Sequence, residues 1–224
     1  MPDGFGRLAW VYQGLEYLVF NDRLQRARLA LLVELAQAQN ILILGEGDGR
    51  FLLELLTNHK TCQVTVLEQS PRMLQRTRAR ITRHAPKAQG RVTLRQADAL
   101  RYSLPTQHYD ALVSHFFLDV FSASQMPGLI RGLAASLKPG GLWLLADFAP
   151  PQAVRAGAHR LLSRSLLLLM YAFFRVMTGL PARHLIPPQP FMVGTGLELS
   201  QRKTIFGGFL YAELWQKPEV RHDP

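Results

Sequence analysis

The feature of the sequence that most constrains the fold is a short apolar run that ends in a glycine-rich turn. The run is Ile41-Leu42-Ile43-Leu44, and Gly45-Glu46-Gly47-Asp48-Gly49 follows it directly. The run has the length and composition of a buried strand, and helical periodicity resumes from Phe51 to Leu56. A strand, a glycine turn and a helix in this order bring a ligand against bare backbone at a helix N-terminus.

The spacing and charge of this turn argue against a dinucleotide. The dinucleotide fingerprint G-x-G-x-x-G requires a third glycine where this chain has Arg50. The turn also carries Glu46 and Asp48, whose carboxylates would repel a pyrophosphate but tolerate a ligand with an ammonium and a sulfonium group. We therefore do not expect NAD at this turn.

The rest of the chain alternates strand-like and helix-like segments, which is typical of a parallel α/β sheet. Further strands are predicted over 64–67, 92–94, 111–113 and 142–146. Helices are predicted over 8–19, from about 22 to 36, and over 72–84, 124–137 and 153–178. Lys138-Pro139-Gly140-Gly141 is expected to end the helix before the fifth strand. Two last runs, 197–206 and 209–215, flank a Gly-Gly pair and predict an antiparallel hairpin.

We interpret the 224 residues as one α/β domain, a Rossmann-like doubly wound and mostly parallel sheet with a C-terminal antiparallel hairpin. N-terminal helices in 1–38 would cover a core of 39–147. A helical insertion in 148–196 would form a lid before the hairpin of 197–216. The single cysteine, Cys62, excludes a disulfide framework and a cysteine-based zinc cluster, and no metal is expected.

The ends and the charge of the chain bear on location and partners. No signal-peptide pattern opens the sequence, and the apolar stretch 166–174 is far below the ~20 residues of a membrane span, so a cytoplasmic protein is expected. The net charge of +10 favours an anionic partner, whether nucleic acid, a phospholipid surface or an acidic small substrate, although a solvated basic surface needs no partner.

Acidic residues also follow the second and third predicted strands. Glu68 ends the second strand, where a carboxylate can accept both hydroxyls of a ribose. Asp98 follows the third strand, near the expected position of an adenine edge. Each alone could be a helix cap or a solvated turn. Together with the glycine turn they predict a nucleoside site along one edge of the sheet.

With these residues the sequence resembles the class I (seven-strand) S-adenosylmethionine-dependent methyltransferases, including the branch that methylates quinones and related metabolites. The resemblance covers about residues 40–147. It is carried by the run from Ile41 to Gly49, Val66-Leu67-Glu68-Gln69-Ser70 with Met73, Ala97-Asp98-Ala99, Tyr109-Asp110 and Leu137-Lys138-Pro139-Gly140-Gly141.

The resemblance implies a set of contacts to the cofactor. The three glycines Gly45, Gly47 and Gly49 would form the floor under its methionine part, and Glu68 would hold the ribose. Gln69 and Met73 would flank the adenine, and Asp98 would bond its amino group. Ile43 stands where the family usually has an acid, so the role of holding the methionine ammonium would pass to Glu46 or to the N-terminal cover, or be lost. The further contacts implied are those of Ala99, Ser114 and Tyr12.

The transferred methyl should lie near the end of the fourth strand, and there His115 is the candidate general base. If the segment turned into helix, Asp119 would lie on the same face four residues on and could orient the imidazole. A purely packing role for His115 is the alternative. No Asp-Pro-Pro-Tyr or Asn-Pro-Pro-Tyr sequence follows this strand, which counts against methylation of the exocyclic amines of nucleic-acid bases.

The resulting prediction is a methyltransferase that acts on a small, apolar or anionic metabolite. Its pocket would be covered by the N-terminal helix and the 153–190 insertion, with Tyr12, Tyr17, Tyr171 and His184 as polar groups. The basic amphipathic helix 153–178 could also contact an anionic membrane surface. Three alternatives stay open: an RNA-modifying enzyme, a non-catalytic module that binds the cofactor, and, as a minor one, polyamine synthesis. The RNA alternative depends on the stripe Arg72, Arg76, Arg80 and Arg83.

Overall fold

A seven-stranded sheet organises the protein, for which the computed structural model describes residues 22–149 and 186–219. The strands are β1 (Asn40–Leu44), β2 (Gln63–Glu68), β3 (Val92–Gln96), β4 (Tyr109–His115), β5 (Leu137–Phe148), β6 (Glu198–Ile205) and β7 (Leu210–Gln216). Their order across the sheet is β3-β2-β1-β4-β5-β7-β6. The first five are parallel, and β7 runs antiparallel to both of its neighbours.

Helices cover both faces of this sheet. They are α1 (22–29), α2 (Arg50–Asn58), α3 (Pro71–His84), α4 (Met126–Ser136) and α5 (Gln189–Val193). We call the face that packs on α1, α2 and α3 the front face, and the face that packs on α4 and α5 the back face. Alternate residues of each strand point to opposite faces, so Ile41 and Ile43 lie in the front core whereas Leu42 and Leu44 lie in the back core. This arrangement confirms the predicted doubly wound fold.

Local sequence explains several element boundaries. Helix α3 begins with Pro71 in its first turn, and the Ser70 hydroxyl accepts a hydrogen bond from the Met73 backbone N–H at 3.3 Å. Proline has no N–H to leave unsatisfied there, and serine is a preferred N-cap residue. The predicted hairpin is also confirmed, because β6 and β7 pair along their length around a turn at Phe206–Gly208.

Two boundary predictions are wrong. The helix expected to reach about residue 36 ends at residue 29, and a separate 3-10 turn covers Leu32–Leu35. The segment Lys138–Gly141 does not separate α4 from a later strand, because β5 begins at Leu137 directly after α4. The pairing of β5 with β4 shifts register between Tyr109 and Ala111, so the segment bulges out of the ladder, and Gly140 there has φ 73°. Glycine and proline at a strand start thus mark a bulge here.

Some sequence predictions lie outside the described residues. These are the helices over 8–19 and 153–178, and the positions Tyr12, Tyr17, Tyr171 and His184. Among the described helices, none combines the length and the hydropathy that a bilayer crossing needs.

Candidate functional site

The glycine turn after β1 is held in a conformation that excludes side chains. Gly49, the residue before α2, has φ 85°, and a Cβ there would lie 3.0 Å from the Cα atom of Thr77 on α3. A Cβ on Gly45 would lie 2.6 Å from the Phe117 ring. Beside Gly47, by contrast, the space is open to at least 4 Å. The turn therefore packs tightly against α3 and leaves its middle bare, which suits a ligand that approaches the backbone closely.

Glu68, at the end of β2, is bound to this turn through its carboxylate. Its Oε2 accepts a hydrogen bond from the Gly47 backbone N–H at 3.2 Å, and its Oε1 accepts one from the Ser70 N–H at 2.9 Å. Each carboxylate oxygen can accept a second hydrogen bond. The partly buried carboxylate is thus fixed in place with acceptor capacity left for a diol, so it fits the ribose role expected for it.

The end of β3 lies beside the end of β2. The Ala97 N–H donates to the Glu68 carbonyl at 3.2 Å, and the Gln96 side chain reaches the Gln69 carbonyl at 3.5 Å. Asp98 Oδ1 accepts a hydrogen bond from the Leu100 N–H at 3.0 Å. The structure therefore brings the predicted residues Gln69, Asp98 and Ala99 to the same edge as the glycine turn. Met73 lies nearby, in the first turn of α3.

Asp48 holds the turn to α3 by a contact that the sequence analysis missed. Its Oδ2 lies 2.9 Å from Arg80 Nη2 and 3.0 Å from Arg50 Nε, and Arg80 Nε also donates to the Asp48 carbonyl at 2.7 Å. The Thr77 hydroxyl donates to the Gly47 carbonyl at 2.8 Å. Arg80 was assigned to a stripe for RNA, but its guanidinium is engaged in fixing the turn. The sequence feature that could have predicted this ion pair was an acid inside the turn, Asp48, together with an arginine in α3, Arg80.

Glu46, one of the residues expected to hold the methionine ammonium, lies in the interior at the start of α2. Its side chain is buried, and its Oε1 accepts a hydrogen bond from the Leu52 N–H in the first turn of α2 at 2.9 Å. Burial raises the pKa of Glu46 to about 7, although this N–H and the positive charge of Arg28 act in the opposite direction. The carboxyl group thus caps α2 from inside the front core.

At the end of β4, Ser114 and His115 point to opposite faces. The Ser114 hydroxyl is buried in the back core and accepts a hydrogen bond from Trp143 Nε1 at 2.8 Å. The His115 ring lies in the front core, edge-on to the Phe51 ring with 4.6 Å between the ring centroids. Burial, with the charge of Arg28 adding to it, lowers the pKa of His115 to about 3. The imidazole is therefore neutral at pH 7 and a weak base.

The expected pairing of Asp119 with His115 does not form. The chain after β4 bends at Phe116, which has φ 52°, and continues as a 3-10 turn over Leu118–Val120 in place of the helix that the pairing required. No hydrogen bond among the described residues joins the two side chains. The acid that interacts with Asp119 is Asp147, near the end of β5.

Asp147 is a candidate site residue that the sequence analysis did not assign. It is 2% exposed, and its Oδ1 accepts a hydrogen bond from the Phe148 N–H at 2.8 Å. Burial raises the pKa values of both Asp147 and Asp119, and for Asp147 the nearby charge of Asp119 acts in the same direction. An acid directly after the fifth apolar run was the available signal.

Comparison with known proteins agrees with this geometry. A family model described as a methyltransferase domain matches residues 41–141. No protein with a curated description matches the chain.

Solved structures with the same fold include methyltransferases of two kinds. The N-methyltransferase NodS from Bradyrhizobium japonicum, in complex with S-adenosyl-L-homocysteine, is 18% identical with a TM-score of 0.62, over 88% of each chain. A S-adenosylmethionine-dependent methyltransferase from Mesorhizobium loti is 17% identical with a TM-score of 0.63, over 85% of this chain and 98% of that one. An O-methyltransferase family protein from Burkholderia thailandensis is 20% identical with a TM-score of 0.63, over 90% of this chain and 59% of that one.

Proposed function

We propose that this protein is a class I S-adenosylmethionine-dependent methyltransferase that transfers a methyl group to a small-molecule acceptor, because a methyltransferase-domain model matches residues 41–141 and solved methyltransferases share its fold. The observation that carries the proposal is the Glu68 carboxylate, fixed by the Gly47 and Ser70 N–H groups beside a bare glycine turn. S-adenosylmethionine, when bound, supplies an electrophilic methyl group on a sulfonium. The chain supplies the alignment on which an in-line displacement depends.

The described residues divide the work of binding the cofactor. Glu68 would accept hydrogen bonds from the two ribose hydroxyls. The open backbone at Gly47 would lie beside the methionine part of the cofactor. Asp98, Gln69 and Met73 would surround the adenine at the ends of β2 and β3. The Ser114 hydroxyl, which was expected to contact the cofactor, is buried and accepts a hydrogen bond from Trp143 Nε1.

His115 is less suited to remove a proton than its place in the sequence suggested. A general base is most effective when its pKa lies near the working pH, and the pKa of His115 is lowered to about 3. We propose that the ring positions α2 against the end of β4 through its edge contact with Phe51. The catalytic role predicted for Asp119 remains a proposal, and its partner is the nearby acid Asp147 rather than His115.

Nothing in the described residues favours the RNA alternative. Arg80, one of the four stripe residues, is bound to Asp48 in a partly buried contact, so the phosphate-binding surface proposed for α3 is reduced to three side chains. The cytoplasmic location and the contact of residues 153–178 with a membrane surface stay predictions.

The test is calorimetric titration with S-adenosyl-L-homocysteine and, separately, NAD. We expect S-adenosyl-L-homocysteine to bind and NAD not to bind. Glu68→Gln should weaken binding of S-adenosyl-L-homocysteine by about 10- to 100-fold, because hydrogen bonds to a charged acceptor contribute roughly 1.5–3 kcal/mol. Glu198→Gln, on the exposed edge strand β6, is the matched control and should bind like the wild type. Binding of NAD alone would refute the proposal.

A further inference from the structure

Three acidic side chains lie together on the back face of the sheet, near the carboxyl end of β5. Asp147 shares the face of Trp143 and Leu145, and Tyr211 of β7 is its cross-strand partner. Glu213 lies two residues further along β7 on the same face, and the 3-10 turn after β4 that carries Asp119 packs against β5. Because ligands of α/β folds bind outside the carboxyl ends of parallel strands, this acidic group lies on the side of the sheet where ligands bind.

The members of this group differ in how well they are paired. Glu213 is fully buried but well satisfied: Arg202 Nη1 lies 3.1 Å from its Oε1, and Trp215 Nε1 donates to its Oε2 at 2.9 Å. Gln189 Nε2 reaches both of its oxygens, at 3.2 and 3.1 Å. Glu213 is therefore a structural acid that joins β7 to β6 and α5.

Among the described residues, no arginine, tryptophan or side-chain amide pairs with Asp119 or Asp147 in this way. Asp147 accepts one hydrogen bond from the Phe148 N–H, and the Asp119 N–H acts on its own carboxylate, whereas Asp119 Oδ1 is buried without any hydrogen-bond partner. Among the described side chains only one other buried polar atom, Gln25 Oε1, is in the same state. No ion pair with a described Lys or Arg involves either acid. A buried acceptor without a donor costs about 1–3 kcal/mol, so its retention indicates a partner that binds there.

The surroundings define the chemistry of that partner. Within 22–149 and 186–219 no group of three or more His, Cys, Asp or Glu side chains is arranged to hold a metal ion. The rings of Phe117 and Phe121 flank Asp119 in sequence and contact each other, with 5.1 Å between their centroids. Both are partly buried against the back core. Carboxylates beside aromatic rings suit an organic cation that donates N–H groups and carries an apolar body.

We propose that Asp119 and Asp147 form an anionic subsite that binds the amino group of the methyl acceptor, which is therefore a primary or secondary amine on an apolar body. This inference rests on the proposed function. It replaces the apolar or anionic acceptor expected from the net charge of +10, because the charge at the acceptor position is opposite in sign to that of the whole chain.

The subsite also supplies a place for the proton that must leave before transfer. A bound ammonium gives one proton to the carboxylate pair and becomes a neutral amine. Its nitrogen lone pair then forms the N–C bond while the S–C bond of the donor breaks, and that electron pair stays on sulfur. The positive charge of the sulfonium passes to the methylated nitrogen, which stays beside the pair until release.

The experiment uses matched amine and alcohol probes on the full-length protein saturated with S-adenosyl-L-homocysteine, at about pH 8. The pairs are benzylamine and benzyl alcohol, 2-phenylethylamine and 2-phenylethanol, and hexylamine and hexanol. We expect at least one amine to bind about tenfold or more tightly than its alcohol. Asp119→Asn should remove that preference by weakening the amine only. Asp22→Asn, which changes an exposed acid of α1, is the control and should keep it.

Two further readouts separate the possible failures. If S-adenosyl-L-homocysteine does not bind the wild type, the proposed function fails; if it binds but no amine is preferred in any pair, only the subsite is refuted. Asp119→Asn should fold and be at least as stable as the wild type, because it removes an unpaired buried charge. If it does not fold, Asp147→Asn is measured in the same way. A preference for the amine that survives these substitutions would also overturn the proposal.

Discussion

The two halves of the site differ in how their acids are satisfied. At the ends of β2 and β3, Glu68 accepts hydrogen bonds from the Gly47 and Ser70 N–H groups, and Asp98 accepts one from the Leu100 N–H. At the ends of β4 and β5, Asp147 is buried with one hydrogen bond from the Phe148 N–H, and Asp119 is partly buried with its Oδ1 unpaired. The first half, which we call the nucleoside side, is complete before a ligand arrives. The second half, which holds the proposed subsite and which we call the acceptor side, has fewer hydrogen-bond donors among the described residues.

The largest effect, a loss of folding stability, is expected for Gly49→Ala on the nucleoside side, because a side chain does not fit at Gly49. Gly49→Ala places a Cβ 3.0 Å from the Thr77 Cα atom and forces an alanine to adopt φ 85°. Strain at a positive φ and overpacking each cost roughly 1–3 kcal/mol, so the free energy of unfolding should fall by about 4 kcal/mol in chemical denaturation.

The control for this change is Gly128→Ala, since Gly128 lies in α4 with open space around its Cβ position. Alanine is favoured over glycine inside a helix, so this variant should gain about 0.5–1 kcal/mol. If both alanine variants were equally stable, the tight contact between the glycine turn and α3 would be wrong.

A buried acid within the turn should make stability depend on pH. The pKa of Glu46 is raised from 4.5 to about 7 in the folded protein, so the fold favours the protonated carboxyl group. This contribution is present below pH 4.5 and is lost as the pH rises through 7, by at most about 3 kcal/mol. We expect Glu46→Gln, which keeps the acceptor for the Leu52 N–H, to lose less stability than the wild type between pH 5 and pH 8.

This comparison needs the difference between two unfolding curves, because Asp119 and Asp147 also have raised pKa values. Their contribution is common to both proteins and cancels. Parallel stability curves for the wild type and Glu46→Gln would show that the Glu46 carboxyl group is not desolvated.

Sequence reasoning succeeded where a site is made from neighbours in the chain. The strand, turn and helix around Gly45–Gly49, and the acid that ends β2, follow from local pattern, and so do the parallel core and the final hairpin. It did not find the Asp119–Asp147 pair, because these residues are brought together only by a bend at Phe116 and by the pairing of β4 with β5. The burial of His115, which lowers its pKa, could not be predicted from local sequence either, because it depends on where α2 packs.

The smallest effect is expected at His115. If its pKa is lowered to about 3, its imidazole resonance should stay at the neutral position from pH 8 to pH 5 in NMR, and the His115→Gln variant would identify that resonance. With an acceptor amine in hand, His115→Gln should change turnover by less than about tenfold, whereas loss of a general base costs about 10²–10⁴. If the His115 imidazole instead titrated near pH 6.5 and His115→Gln lost turnover by about 10²-fold or more, His115 would be the general base.

The position of β7 has a consequence for how the chain folds as it is made. This strand pairs with β5 on one side and with β6 on the other, yet it follows both of them in the sequence. Until residues 210–216 have left the ribosome, the outer edge of β5 has no neighbour and β6 has nowhere to dock. An emerging chain therefore exposes an unpaired strand edge until β7 has been made, the kind of edge on which nascent proteins aggregate or recruit chaperones.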